Sequence, residues 1–294
     1  MSRVLIVTPA AVLALAVLAG CGAETAPTAA PADGKASATA DPRSKRRQME
    51  AMRADCMKGK GFKYAANVPA PVQRTPEEVK LRTGDYDAMA KEREKYGFGV
   101  FAGHVYPERK EVGMLVDPNE PIAMALSETQ RKVWVSADET CYIQAYSKFS
   151  GRKVTSGIDA FNQMNTMSKQ LRGRELNGDA ELVRLAGAFG ECLKNKGVKV
   201  TSFKPTDISS NGQEAYEAMA TKIGREQNPD AKGELVIPDL TADRARPYLA
   251  DEIRSALLDL ECGKDFYPAY KSKEWAISQK VDTAFGVDEG LFGS

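Results

Sequence analysis

A nine-residue stretch occurs twice in this chain. Cys56-Met57-Lys58-Gly59-Lys60-Gly61-Phe62-Lys63-Tyr64 is echoed by Cys192-Leu193-Lys194-Asn195-Lys196-Gly197-Val198-Lys199-Val200. Five of the nine positions are identical, and three of the other four are apolar in both copies. An acid, Asp55 or Glu191, precedes each cysteine. The likeness resumes downstream: Asp138 and Asp259 stand three residues before Cys141 and Cys262, and Tyr146 and Tyr267 stand five after them. Self-similarity governs architecture, and two copies imply two related halves, not a solenoid. The expected halves are residues 44–155 and 156–294.

What precedes them is of another kind. Arg3 carries the only side-chain charge before an apolar run from Val4 to Val17. That run is short for a membrane span, which takes about 20 residues. A charged start, an apolar middle and small residues at the end predict a secretory signal over residues 1–20. It closes on Leu18-Ala19-Gly20-Cys21, which resembles the lipobox of bacterial lipoproteins. The resemblance implies cleavage before Cys21 and diacylation of its thiol, as in palmitate-bearing lipoproteins. Two acyl chains anchor a protein stably where one does not. Residues 22–41 are rich in Ala, Thr and Pro, a composition that buries no core. The lipidated cysteine and this segment, 21–43, are expected to act as a flexible tether spanning about 25 Å. The expected location is the outer face of the bacterial cytoplasmic membrane, extracellular and lipid-anchored.

An oxidising compartment makes disulfides the default for the four cysteines left after Cys21. Four cysteines allow three connectivities, and the repeat favours pairing within each half, Cys56–Cys141 and Cys192–Cys262. A zinc site is disfavoured, because structural zinc draws ligands from close pairs and no two cysteines lie close. The 253 residues after position 41 suit one large domain or two small ones. Without Arg3, 40 basic residues face 40 acidic ones, which argues against a nucleic-acid partner. The cluster Arg43, Lys45, Arg46 and Arg47 reads as a solvated helix start, with anionic lipid as the alternative contact.

The fold expected is mainly α with minor β. Met49, Met52 and Cys56, and Leu182, Leu185, Ala186, Phe189 and Leu193, have helical spacing. Asp179 is placed to start the second of these helices, and Gly61 and Gly197 to stop both. Further helices are expected over Asp85–Tyr96, Asn211–Gln227 and Ile158–Leu171. One stripe, Leu249, Ile253, Ala256, Leu257 and Leu260, carries the last cysteine, and Ser127 or Ser136 is placed to cap its counterpart. Strand or extended chain is expected at 62–64 and 198–201, and irregular, partly β structure over 97–116 and 235–237.

Several of these features together resemble a family of actinobacterial secreted lipoproteins. The shared marks are the lipobox, Cys56 with Gly61-Phe62, Tyr96-Gly97-Phe98-Gly99, Asp117-Pro118-Asn119 and Cys141. The likeness covers mainly residues 1–149, since the second half has no Tyr-Gly-Phe-Gly or Asp-Pro-Asn. It implies an address and a fold, and no activity.

Chemistry is sparse. His104 is the one histidine, and no G-x-S-x-G elbow supplies a serine for it. The glycine-rich run from Gly97 is neither a dinucleotide fingerprint nor a P-loop, and reads as a tight turn or close backbone packing. Ser150-Gly151-Arg152-Lys153 and Ser209-Ser210-Asn211 match fragments of penicillin-recognising enzymes, but Lys-Thr-Gly is absent. Glu77-Glu78, Asp138-Glu139 and Asp251-Glu252 offer paired acids for a glycosidase, yet read as helix starts or surface. Asp117-Pro118-Asn119-Glu120 lacks the EF-hand glycine and reads as a turn and cap. Trp134, Trp275, Tyr142, Tyr146, Phe149, Phe266, Tyr267 and Tyr270 read as core around the bridges, or as a cleft between halves. No cofactor and no metal is expected, and no catalytic residue is assigned. The reading is a non-enzymatic binding module for an envelope protein, a wall polymer or a small ligand, with His104, Tyr96 and Phe98 as candidate contacts. The alternative is an envelope hydrolase that acts on peptidoglycan or glycan through paired carboxylates.

Overall fold

A computed structural model describes residues 42–68, 74–107 and 117–285. The signal segment, Cys21 and the tether to residue 41 lie outside the described residues, as do Pro69, Pro71 and residues 108–116. All regular elements among the described residues are helices. In chain order they are α1 (Pro42–Gly59), α2 (Pro76–Arg82), α3 (Tyr86–Tyr96), α4 (Ala102–Val105), α5 (Glu120–Met124) and α6 (Glu128–Ser150). After them come α7 (Gly157–Glu175), α8 (Ala180–Asn195), α9 (Pro205–Ile208), α10 (Asn211–Gln227), α11 (Ala242–Cys262) and α12 (Phe266–Phe285).

The repeat is a repeated helix end. After α1, Phe62 N donates to Met57 O (3.0 Å) and Gly61 N to Lys58 O (2.9 Å), with Gly61 at φ 83°. After α8, Val198 N donates to Leu193 O (2.9 Å) and Gly197 N to Lys194 O (2.9 Å), with Gly197 at φ 80°. Each glycine takes the left-handed turn that satisfies the last carbonyls. Each cysteine then bonds the helix packed beside its own: Cys56 to Cys141 on α6, and Cys192 to Cys262 on α11. The caps follow the same local logic. Asp179 accepts from Leu182 N, Asp85 from Ala88 N, and Ser127 closes a capping box with Gln130.

The expected strands are absent among the described residues, and the hydrogen bonds explain why. An extended segment becomes a strand only beside another, and here side chains stand in for the partner. The buried amide of Asn119 accepts from Ala65 N (2.8 Å) and donates to Ala65 O (2.9 Å). Segment 97–101 is a chain of turns that leads into α4. Residues 235–237 meet the side chain of Thr221, not a ladder.

Packing does not respect the sequence boundary at 155/156. α1 lies along α6, where Met57, Trp134, Ala137 and Cys141 form a small cluster. But α3 and α4, from the first half, pack on α11 of the second, and α2 packs on α12. The main core joins Met49, Met89 and Tyr146 to Leu182, Phe189 and Phe266. The aromatics read as core or cleft divide accordingly: Phe266, Tyr267 and Tyr270 are fully enclosed and Trp134 nearly so, whereas Trp275 is half-buried. Helix α12 is a 20-residue element without a counterpart in the sequence reading, its buried stripe running Phe266, Tyr270, Ile277, Val281, Phe285.

Candidate functional site

Helix α11 has an apolar buried face interrupted by two acids. Ala245, Leu249, Glu252, Ala256, Asp259 and Leu260 are all buried on it. A buried carboxylate needs a partner, and each of the two finds one in the first half. Asp259 accepts from Arg93 Nη1 on α3 (2.6 Å) and from the Tyr267 hydroxyl (2.5 Å). Glu252 accepts from Val100 N (2.8 Å) and Phe101 N (2.9 Å), with the amides of Phe98 and Gly99 also drawn toward it. Burial pushes the Glu252 carboxyl above the usual carboxylate range, against the pull of those amides.

This carboxylate is what the glycine-rich run is built around. Gly97 sits at φ 61°, and a Cβ there would lie 2.8 Å from Glu252 Cγ. Gly97→Ala therefore adds both a backbone penalty and an overlap, and is expected to cost about 2–3 kcal/mol in thermal or urea unfolding. Phe101 stacks on Tyr248 (5.0 Å between centroids) and anchors the far end of the loop. The Phe98 ring lies against Tyr216 (5.8 Å) and so close to α10 that a Cβ at Gly212 would fall 2.3 Å from it.

The loop thus fixed forms one wall of a cavity of about 360 Å³. Phe98, Val100, Ala220, Leu235, Ile237 and Pro238 supply its apolar lining. His104, Gln213 and Glu217 bring polar groups to it, with Gln213 Nε2 donating to Glu217 Oε1 (2.8 Å). An open groove of about 730 Å³ continues along α10, sharing Glu217 and Leu235 and adding Glu214, Glu226, Glu234, Lys222 and Arg225. No protein-family profile, curated protein or solved structure matches the chain.

Of the three contacts expected from the sequence, Phe98 and His104 line the cavity. Tyr96 does not; it packs edge-on against Tyr106 (5.5 Å). The serine motifs are helix ends. Ser150 donates to Tyr146 O at the close of α6, and Ser210 to Glu214 at the start of α10. The acid pairs are drawn into the fold. Glu78 accepts from Thr75 N, Asp138 takes a two-point contact from Arg53, Glu139 accepts from Gly157 N, and Asp251 accepts from Tyr216 and Arg254. The expectation that each pair sits at a helix start or surface needs correction: Asp138 and Glu252 lie mid-helix, and Glu252 is buried. Among the described residues no three His, Cys, Asp or Glu side chains gather as a metal site. Glu217 has no sign in the sequence reading, Leu235 and Ile237 figure there only as the bounds of a partly β stretch, and Glu252 only as one member of an acid pair at a helix start or surface. The signal for Glu252 was there, since it falls on the apolar stripe of α11, where an acid is costly unless bonded.

Proposed function

We infer that the chain is a lipid-anchored cell-envelope protein that binds a ligand in the cavity between the glycine-rich loop and α10. The observation that carries this reading is the cavity itself. Its apolar lining and few polar groups are what ligand sites typically offer. Its loop wall is held by a buried carboxylate, which is an expensive way to fix a loop unless its position matters. The lipobox at Leu18–Cys21 and the low-complexity segment after it support the anchor and the tether. Among the described residues no helix is long and apolar enough to cross a membrane, so the lipid on Cys21 is the attachment proposed. The binding reading is preferred over hydrolysis because the acid pairs a glycosidase would use are engaged in capping, ion pairing and loop support.

Ile237 is 70% exposed and lines the cavity, so Ile237→Asp changes the site with little effect on the core. Crosslinking in intact envelopes is expected to give an adduct with the wild-type chain and to lose it with Ile237→Asp at unchanged melting temperature. An adduct that survives would move the site elsewhere. Cys21→Ala is expected to abolish palmitate labelling and membrane retention, and persistent retention would sink the anchor.

A further inference from the structure

Residues 235 to 240 alternate without a fault. Leu235, Ile237 and Asp239 are exposed; Val236, Pro238 and Leu240 are buried. A period of two is the mark of extended chain with one face on a core. Yet this segment belongs to no sheet. Its backbone polar groups must be accounted for in some other way. Val236 N donates to Thr221 Oγ1 (3.4 Å), and its carbonyl lies so near α10 that a Cβ on Gly224 would be 2.5 Å away. Asp239 is clamped by Gln227, which accepts from its N–H (2.7 Å) and donates to its carbonyl (2.9 Å). Between these clamps, the N–H and carbonyl of Leu235 and of Ile237 make no hydrogen bond within the described residues.

In extended chain, residues two apart turn their N–H and C=O groups to the same edge. Leu235 and Ile237 therefore present one short run of donors and acceptors, and Asp239, the next residue on that edge, ends it because Gln227 takes both its N–H and its carbonyl. Their side chains are 55% and 70% exposed and line the cavity. An exposed apolar edge of this kind is a template for strand addition, in which main-chain bonds hold a peptide and pockets take its alternate side chains. Charge narrows the class of peptide. The adjoining groove carries Glu214, Glu217, Glu226 and Glu234 against Lys222 and Arg225, and Arg225 is turned to the carbonyl of Gly233.

We propose that the Leu235–Ile237 edge accepts an extended segment of a partner protein, one apolar side chain entering the cavity and basic residues flanking it toward Glu217 and Glu234. This rests on the cavity being the ligand site. The Gln213–Glu217 bond leaves the carboxylate with no cation partner among the described residues, so a flanking lysine would meet an uncompensated charge.

The test uses the full oxidised chain in detergent micelles and fluorescence anisotropy with labelled pentapeptides. The first probe is Lys-Val-Lys-Val-Lys; the second is the same peptide N-methylated at both valines; the third is Glu-Val-Glu-Val-Glu. The first is expected to bind, the second at least tenfold more weakly, the third not measurably. Ile237→Pro is expected to weaken the first probe at least tenfold, and Glu217→Gln severalfold with a shallower salt dependence. Equal binding of the N-methylated peptide would overturn the proposal, since side chains alone would then be recognised. A parallel titration with the apolar dye N-phenyl-1-naphthylamine separates the two readings. Dye bound by the wild type and lost in Ile237→Asp, with no peptide bound, keeps the cavity as a ligand site and refutes strand addition. Neither dye nor peptide bound refutes both.

Discussion

Replacing Arg93 with Met is expected to lower the unfolding free energy by about 3–5 kcal/mol, the usual result of leaving one member of a buried ion pair behind. Arg93 Nη1 bonds both Asp259 Oδ1 and the Ala256 carbonyl, each at 2.6 Å. Its guanidinium also lies over the rings of Tyr267 (4.8 Å) and Phe98 (5.4 Å), so no other cation replaces it in place. Burial pushes the Asp259 carboxyl above its ordinary value, and Arg93 is the charge that opposes this. Without Arg93 the folded carboxyl titrates higher still. A folded-state pKa raised above the unfolded value favours the fold at low pH and is lost as pH rises through it. The deficit of Arg93→Met should therefore be largest near neutral pH and shrink on acidification. Urea unfolding at two pH values measures this. Arg93→Met combined with Asp259→Leu should recover much of the loss, because removing both charges leaves neither unpaired. If the single variant costs under 1 kcal/mol, the pair is not the fastening between α3 and α11 that its geometry describes.

Removing either disulfide should be nearly as damaging. The bridges close loops of 85 and 70 residues. Loop-closure entropy gives about 4–5 kcal/mol for each, and the weak dependence on loop length makes the two losses nearly equal. Cys56→Ser with Cys141→Ser, and Cys192→Ser with Cys262→Ser, should lower stability by similar amounts in urea unfolding. The pairs should differ at the site. Cys262 ends α11, the helix that carries Glu252, whereas the Cys56–Cys141 bridge joins α1 to α6, away from the cavity. Ligand or dye binding should therefore weaken more with the second pair. Equal weakening would mean that the cavity senses overall stability and not the placement of α11.

What was legible in the sequence is what short-range rules govern. The cap at Asp179, the first of the two serines (Ser127 or Ser136) offered for α6, and the glycine stops at Gly61 and Gly197 are satisfied within a few residues of themselves. So are the limits of α10, which run from Asn211 to Gln227 as the spacing implies. The alternation of Phe62 to Tyr64 suggested strand or extended chain, and no local signal reveals that remote side chains meet this stretch, Trp134 at the Lys63 carbonyl and Asn119 at the next residue, Ala65. Helix α12 was hidden by its own aromatics: Phe266, Tyr267 and Tyr270 read as core around the bridges, or as a cleft, before they read as one helix face. The site was half legible. Phe98 and His104 stood out as unusual residues near glycines. Glu252 did not, since its role depends on a loop 151 residues earlier in the chain.

The docking of α3 and α4 on α11 has a kinetic consequence. The bonds that fasten them, Arg93 to Asp259 and Phe101 N to Glu252, join residues 166 and 151 positions apart. Contacts so remote form only after long chain closures, which slow a folding reaction. As the chain lengthens from its N-terminus, Met89, Phe101 and Ala102 have no complete burial site until residue 262 is available. For that interval the first copy of the repeat holds apolar surface that its own sequence cannot cover. The chain after residue 41 is thus not two independent folders but one, whose earlier portion waits on its later one.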